Sequence, residues 1–305
     1  MVPREPSLVG SHPRSPVSRI LVLGSRGRLG AALIRQWSKS HDVKGLARPE
    51  IDVSDLKALA DFLQDEVYDV LVNATGLTNV DRCETDQKEA LTVNTAAPEV
   101  MAAYAAAHGA RFIHFSTDYV FDGLKETPYT ETDVAKPLSI YGQSKLAGEI
   151  AATSASLRHL AVRVSWVFGY DKPSFVDMIV ARALDNAHVE AIGDKTSSPT
   201  FAEDVAGWLD PFLASELPGG LFHACNAGSC TWQEYGQHAL DCAARAGLPL
   251  QARSVDSIPL DSMKAFLAAR PRHTAMDTAK LSAATGRPPR PWQEALAEYF
   301  TNKPK

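Results

Sequence analysis

Four apolar residues, Ile20 to Leu23, run straight into three glycines at every third position, Gly24, Gly27 and Gly30. A helical stretch from Ala31 to Lys39 follows at once. This strand–turn–helix order constrains the fold more than any other part of the chain. Glycine is needed where backbone turns tightly, where an anion comes close to it, and where a helix packs down on a strand. The helix N-terminus then offers unpaired N–H groups and a positive dipole end to whatever lies in the turn. The spacing is G-x-x-G-x-x-G, not G-x-G-x-x-G, and a plain strand–turn–helix explains three glycines equally well when they stand alone.

The segments that follow favour the anion-binding reading. Asp42 to Ala47 reads as a second strand ending at Arg48. Ile51-Asp52-Val53 reads as a further short strand, with Ser54 capping a helix that runs to Gln64. Asp69 to Asn73 is the next strand, followed by the small residues Ala74-Thr75-Gly76. An Ala-rich helix from about Pro98 to His108 stops at Gly109, and Arg111 to Ser116 is a strand with Thr117 at its end. Strands alternating with helices predict an α/β fold, a Rossmann-type doubly wound parallel sheet with its ligand crevice at the carboxyl ends of the strands.

After the strand Ala161 to Ser165 and the segment Trp166 to Gly169 the alternation loosens. Residues 19–168 are therefore expected to form a dinucleotide-binding domain. Residues 169–305 should form mainly a smaller α/β substrate-binding lobe, with some segments returning to the Rossmann core. Residues 1–18 carry four prolines and two arginines without an apolar signal-peptide core, and read as a disordered arm.

A net charge of −5 and a pI near 6.0 argue against nucleic acid or an anionic membrane as the partner. No apolar run is long enough to span a bilayer. Cys83, Cys225, Cys230 and Cys242 lack metal-ligand spacing, so no metal is expected. Cys225 and Cys230 could bridge, but buried free thiols in a reducing cytoplasm fit better a chain that shows no secretory signal.

Chemistry is concentrated in residues 116–149. Tyr141 and Lys145 are four apart in a helical stretch, so phenol and ammonium share one face and can share a pocket. A nearby cation makes a phenol more acidic by stabilising the phenolate. Tyr299 and Lys303 repeat this spacing at the tail, where it reads as a packed tyrosine and a solvated lysine. Only 141–145 has the strand-end Ser116-Thr117 and the glycine loop upstream. His114 reads as a core histidine, Trp232 and Trp292 as packing, Asp118 and Asp122 equally as catalytic carboxylates or as turn-forming and capping residues, and Asp81, Glu84 and Asp86 as a solvated helix start.

The glycine loop, Asn73-Ala74, Ser116-Thr-Asp-Tyr-Val-Phe-Asp-Gly123 and Tyr141-Gly-Gln-Ser-Lys145 together resemble the extended short-chain dehydrogenase/reductases. Thr78-Asn-Val-Asp81, Ser165-Trp-Val167, Ser198-Pro-Thr200 and Trp292-Gln-Glu-Ala-Leu296 resemble, within them, the dTDP-4-dehydrorhamnose reductase family, over residues 19 to 300. The resemblance implies reduction of the C4 keto group of a dTDP-linked 6-deoxy-4-ketohexose by a nicotinamide coenzyme. It implies Tyr141 as proton donor, Lys145 as its electrostatic partner and ribose ligand, and Thr117 as the hydroxyl that orients the carbonyl oxygen. Thr117, Asp118 and Trp166 match positions that touch substrate. Gly27, Arg28, Leu29, Asp52, Val53, Thr75, Gly76 and Leu77 match positions lining the coenzyme, beside Gly24, Gly30, Asn73 and Ala74 of the strand-end loops.

The second strand ends in Leu46 and Ala47, which offer no carboxylate to a ribose 2′-hydroxyl, and then Arg48, with Arg26 and Arg28 close by. That favours NADPH, with NADH as the alternative coenzyme and a solvated loop charge as the alternative role of Arg48. The chain departs from the family at Lys195, where Gln is usual, at Ser174, where Asn is usual, and at Leu77, where an aromatic is common. The expected partners are the dTDP-linked deoxyketosugar and, as an option, a second copy in a homodimer. Two other readings stay open: a nucleotide-sugar epimerase or dehydratase of the same superfamily, and a non-catalytic subunit resembling the regulatory subunit of methionine adenosyltransferase.

Overall fold

The structure, a computed structural model, describes residues 17–213 and 217–303. The expected disordered arm lies outside the described residues except for Val17 and Ser18. Ser18 is buried and its hydroxyl donates to the Leu213 carbonyl at 3.1 Å, so the ordered chain begins before residue 19.

In chain order the first half comprises β1 (Arg19–Leu23), α1 (Arg28–Trp37), β2 (Asp42–Leu46), α2 (Leu56–Asp65), β3 (Val70–Asn73), α3 (Val80–Thr85), α4 (Gln87–Leu91), α5 (Ala97–Ala107), β4 (Arg111–Thr117), α6 (Ile140–Ala155) and β5 (Leu160–Val164). The second half comprises β6 (Val167–Phe168), α7 (Phe175–Asp185), β7 (Val189–Ile192), β8 (Thr196–Ser197), β9 (Thr200–Phe201), α8 (Ala202–Leu209), β10 (Gly220–His223), β11 (Cys230–Thr231), α9 (Trp232–Arg245), β12 (Val255–Ile258), α10 (Ala279–Thr285) and α11 (Trp292–Asn302).

Six parallel strands form the main sheet in the order β10-β5-β4-β3-β1-β2, as the alternation of strands and helices predicts. Strand order reverses at β1, which has β2 on one side and β3 on the other. The crevice of a doubly wound sheet opens at this point, and here it falls at Gly24 and Asn73.

The strands alternate their side chains between two cores. Ile20 and Val22 pack with Leu33 and Trp37 of α1 and Leu209 of α8, while Leu21 and Leu23 pack with Leu59, Leu63 and Met101 on the other face. Trp37 is 1% exposed, and its indole N–H is satisfied by the Ala206 carbonyl at 3.0 Å, so α1 and α8 are fixed side by side.

A separate core, built on α7, α9 and α11, contains Phe168, Phe201, Tyr235, Trp292 and Tyr299. The short parallel pair β7–β12 belongs to this lobe. Three late elements do not. Leu209 of α8, Phe222 of β10 and Leu281 of α10 join the first core.

Four local readings need correction. Ile51 to Val53 is not a strand, although Ile51 and Val53 are buried. Asp52 Oδ1 accepts from the N–H and the hydroxyl of Ser54 at 3.0 and 2.7 Å, closing a turn. That turn occupies Ser54, and Asp55 caps α2 instead, accepting from Ala58 N–H at 3.0 Å. The acidic cluster is not simply solvated either. Asp81 accepts from the N–H groups of Leu267 and Ala268 and pairs with Arg270 at 2.8 Å, and Glu84 accepts from Ile140 N–H at the start of α6. At the tail, Tyr299 and Lys303 both bind the Asp177 carboxylate, so that lysine is ion-paired. All four cysteines are buried and free.

Candidate active site

Thr117 ends β4, and α6 brings Tyr141 and Lys145 against it. Ser139 caps α6 by accepting from Gly142 N–H at 3.2 Å. A Cβ on Gly142 would come within 2.3 Å of the Tyr119 carbonyl oxygen, so only glycine lets the helix start this close to the strand end. Thr117, Tyr141 and Lys145 are consequently buried together, at 5%, 8% and 3% exposure, and all three line one cleft of about 570 Å³.

Burial pushes the Tyr141 phenol above its usual range, its hydrogen bond with Thr117 draws it back down, and the Asp118 charge pushes it up again. The Lys145 Nζ donates to the Phe115 carbonyl at 2.5 Å and lies 3.5 Å from His114 Nε2. Burial brings Lys145 down to about 8, opposed by the Glu149 charge.

His114 does more than fill the core. Asn73 Oδ1 accepts from the N–H and hydroxyl of Thr75 at 2.9 and 2.6 Å, which turns the Asn73 amide so that Nδ2 donates to His114 Nδ1 at 3.1 Å. Burial, and secondarily Lys145, hold the imidazole well below its ordinary value, so it is neutral. A neutral ring that accepts at Nδ1 carries its proton on Nε2, facing Lys145. That contact is repulsive toward an ammonium and a hydrogen bond toward an amine, consistent with the lowered lysine.

Beneath Thr117 lies a fully buried polar group. Asp118 Oδ1 accepts from the Thr117 hydroxyl at 3.1 Å, and Oδ2 accepts from Ser197 and Thr274 at 2.8 and 2.6 Å. The departing residue Lys195 is also buried here. It donates to the Pro271 carbonyl at 2.6 Å, sits 5.1 Å from the centre of the Tyr119 ring, and falls to about 8 because burial outweighs the Asp118 charge. Asp118 is 2% exposed and engaged through both oxygens. It borders the cleft chiefly as the anchor of Thr117.

A second cleft, of about 390 Å³, continues past the glycine loop and is lined by Gly24, Arg26, Arg48 and Val53 among others. Gly27, Ala74, Thr75 and Gly76 line both clefts, and Arg28 and Leu29 the first alone. Helix α1 begins at Gly27 without a side-chain cap, leaving its first N–H groups to the crevice.

Four residues of the expected coenzyme set line neither cleft. Gly30 is buried under the loop, and Asn73 holds His114 and Thr75. Asp52 serves Ser54 and lies 3.7 Å from Arg48, and the Leu77 N–H is held by Asn94 at 2.9 Å. Asn94 also donates to the Leu77 carbonyl and to Ser144, tying the loop after β3 to α6. No sequence signal marks it, because its partners are 17 and 50 residues away.

On the substrate side, Trp166 lines the cleft with φ of 41°, a left-handed conformation that is strained for a bulky residue. It stacks on Tyr235 at 5.9 Å and meets Trp232 edge-on at 5.8 Å. Trp232 therefore lines the cleft, which corrects its assignment to packing alone. The Arg28 guanidinium donates to the carbonyls of Val167, Lys172 and Pro173 at 2.9, 3.0 and 2.5 Å, strapping the segment after β6 to the glycine loop.

Among the described residues no helix is long and apolar enough to cross a membrane, and no group of three or more His, Cys, Asp or Glu could hold a metal ion.

The family model of the RmlD substrate binding domain matches residues 18–304. The dTDP-4-dehydrorhamnose reductase of Burkholderia thailandensis is 32% identical over 289 residues, covering 91% of this chain and 96% of that protein. The crystal structure of a dTDP-4-dehydrorhamnose reductase from Clostridium acetobutylicum superposes with a TM-score of 0.84 at 28% identity, covering 93% of this chain and 98% of that one. A dTDP-4-dehydrorhamnose reductase from Bacillus anthracis, solved in complex with NADP, shares the fold with a TM-score of 0.87 at 24% identity, over 94% of this chain and 100% of that one.

Proposed function

Because the chain belongs to the dTDP-4-dehydrorhamnose reductase family of the extended short-chain dehydrogenase/reductases, we propose that it reduces the C4 keto group of dTDP-4-dehydrorhamnose with NADPH, giving dTDP-rhamnose. The observation that carries this reading is the meeting of Thr117, Tyr141 and Lys145 in a buried cleft that runs on to the uncapped N-terminus of α1.

The crevice fits a dinucleotide. The first N–H groups of α1 suit a pyrophosphate, and the further cleft has Arg26 and Arg48 in its lining and no carboxylate, which suits a 2′-phosphate better than a bare ribose. The coenzyme, when bound, supplies the hydride.

The chain's own residues handle the proton and the charge. A phenol raised by burial keeps its proton at neutral pH, so Tyr141 is an acid ready to protonate an alkoxide as one develops beside it. Thr117 has one hydroxyl proton and rests it on Asp118. Turning that O–H toward the developing oxyanion exchanges one anionic acceptor for another, while the Tyr119 N–H continues to hold its oxygen at 3.2 Å. Lys145, shared between Phe115 and His114, supplies a group that can gain or lose a proton near neutral pH within reach of a bound ribose. Trp166 and Trp232 supply an aromatic wall on the substrate side of the cleft.

The test is NADPH oxidation with dTDP-4-keto-6-deoxyhexose made in situ by a dehydratase and a 3,5-epimerase. Turnover that requires the epimerase supports the reading. Turnover without it would move the substrate to another deoxysugar, and no turnover with either coenzyme would sink it.

A further inference from the structure

The two clefts meet at a seam. Gly27, Ala74, Thr75 and Gly76 line both from the sheet side, and the other residue common to the two is Lys172, which comes from the opposite lobe. A dinucleotide that places its nicotinamide by Tyr141 and its adenosine by Arg48 must cross this seam, and the group joining its halves is the pyrophosphate. The first turn of α1 is on one side of that crossing.

The cations around the seam are not equally available. Arg28 is committed to three backbone carbonyls, Arg26 donates to the Arg48 carbonyl and pairs with Glu50 at 2.6 Å, and Arg48 lies 3.7 Å from Asp52. Lys172 has no ion pair among the described residues, and its side chain stands in an exposed position. Its backbone, by contrast, is fixed. Asp171 is held by Arg35 of α1 at 2.7 and 3.0 Å, the carbonyls of Lys172 and Pro173 are held by Arg28, and Ser174 caps α7. A long cationic side chain is thus mounted on a rigid strap directly over the seam.

We propose that Lys172 closes over the coenzyme pyrophosphate, opposite the N-terminus of α1, and so makes the substrate-side lobe part of the coenzyme site. The inference rests on the coenzyme reading above and adds a residue to it. A charge-assisted contact to a phosphate oxygen from a preorganised backbone is worth about tenfold in affinity or more.

The test is calorimetric titration of the full chain, without sugar substrate, with NADPH, ADP-ribose and adenosine 2′-phosphate. Wild type is compared with Lys172→Ala and Lys172→Arg. Lys172→Ala is expected to weaken NADPH and ADP-ribose by about tenfold, to leave adenosine 2′-phosphate within about twofold, and to be largely rescued by Lys172→Arg. An equal loss for adenosine 2′-phosphate would overturn the assignment by moving Lys172 to the ribose phosphate. Unchanged NADPH affinity in Lys172→Ala would overturn it outright while leaving the coenzyme reading standing. A wild type that binds no NADPH would remove the coenzyme reading and this inference together.

Discussion

The two ends of the crevice are built on opposite principles. At the Tyr141 end the side chains of Thr117, Asp118, Lys145 and His114 are all buried, and each is committed to named partners before any ligand arrives. At the Arg48 end the charged groups are largely in water: Arg26 and Arg48 keep 60% and 65% of their side chains exposed and pair with carboxylates that are also exposed. Buried polar groups are costly to leave unpaired and expensive to rearrange, whereas exposed ion pairs contribute little and yield easily. The chemical end should therefore be intolerant of substitution and sensitive to pH, and the adenosine end tolerant of substitution and sensitive to salt.

The largest expected effect is at Tyr141. Tyr141→Phe should lower kcat about 10²–10⁴-fold while NADPH affinity by calorimetry stays within about threefold. A comparable loss at Arg48 would break the contrast.

Next is Asp118→Ala, which removes the carboxylate that the hydroxyls of Thr117, Ser197 and Thr274 share and leaves Lys195 buried without the Asp118 charge. We expect about 3–5 kcal/mol of lost stability in urea unfolding, against less than about 0.5 kcal/mol for Arg48→Ala.

The pH dependence should be read at His114. Its native pKa lies well below 6.5, so the unfolded chain takes up a proton in the range below 6.5 that the native chain refuses. The stability tied to the neutral ring is present above pH 6.5 and is lost progressively as pH falls below it, at no more than about 1.4 kcal/mol per pH unit. His114→Gln should lose correspondingly less between pH 7 and pH 5 in denaturant midpoints, and an unchanged pH slope would count against the buried chain Asn73–His114–Lys145.

The smallest effect is at the other end. Arg48→Ala should weaken NADPH about three- to tenfold at low salt, the difference shrinking at 0.5 M salt, and leave NADH unchanged.

This contrast also explains what could be read from the sequence. Tyr141, Lys145 and Thr117 were legible because helix periodicity and a strand end place them locally. The parallel sheet was legible because β1 to β5 alternate with helices in order. The partners that set their electrostatics were not. Asp118 is held by residues 79 and 156 positions away, and Asp81 by Arg270 189 positions away. The four-residue spacing puts Lys145 on the face of Tyr141 but does not show that the carbonyl of Phe115 and the ring of His114 also engage its Nζ. Ile51-Asp52-Val53 has the alternation of a strand, but the Asp52 carboxylate captures Ser54 and turns the chain. Trp232 and Lys172 reach the cleft from the second lobe, whose path has no simple period.

That second lobe is interleaved with the first. The chain leaves the main sheet after β5, returns for α8 and β10, leaves again for α9, and returns once more for α10 before ending in α11. A lobe threaded in this way has no single breakpoint at which it could be grafted from a relative. A chimera made by one crossover would divide one or both cores. Exchange of the substrate-side lobe as one contiguous module is therefore closed to this scaffold.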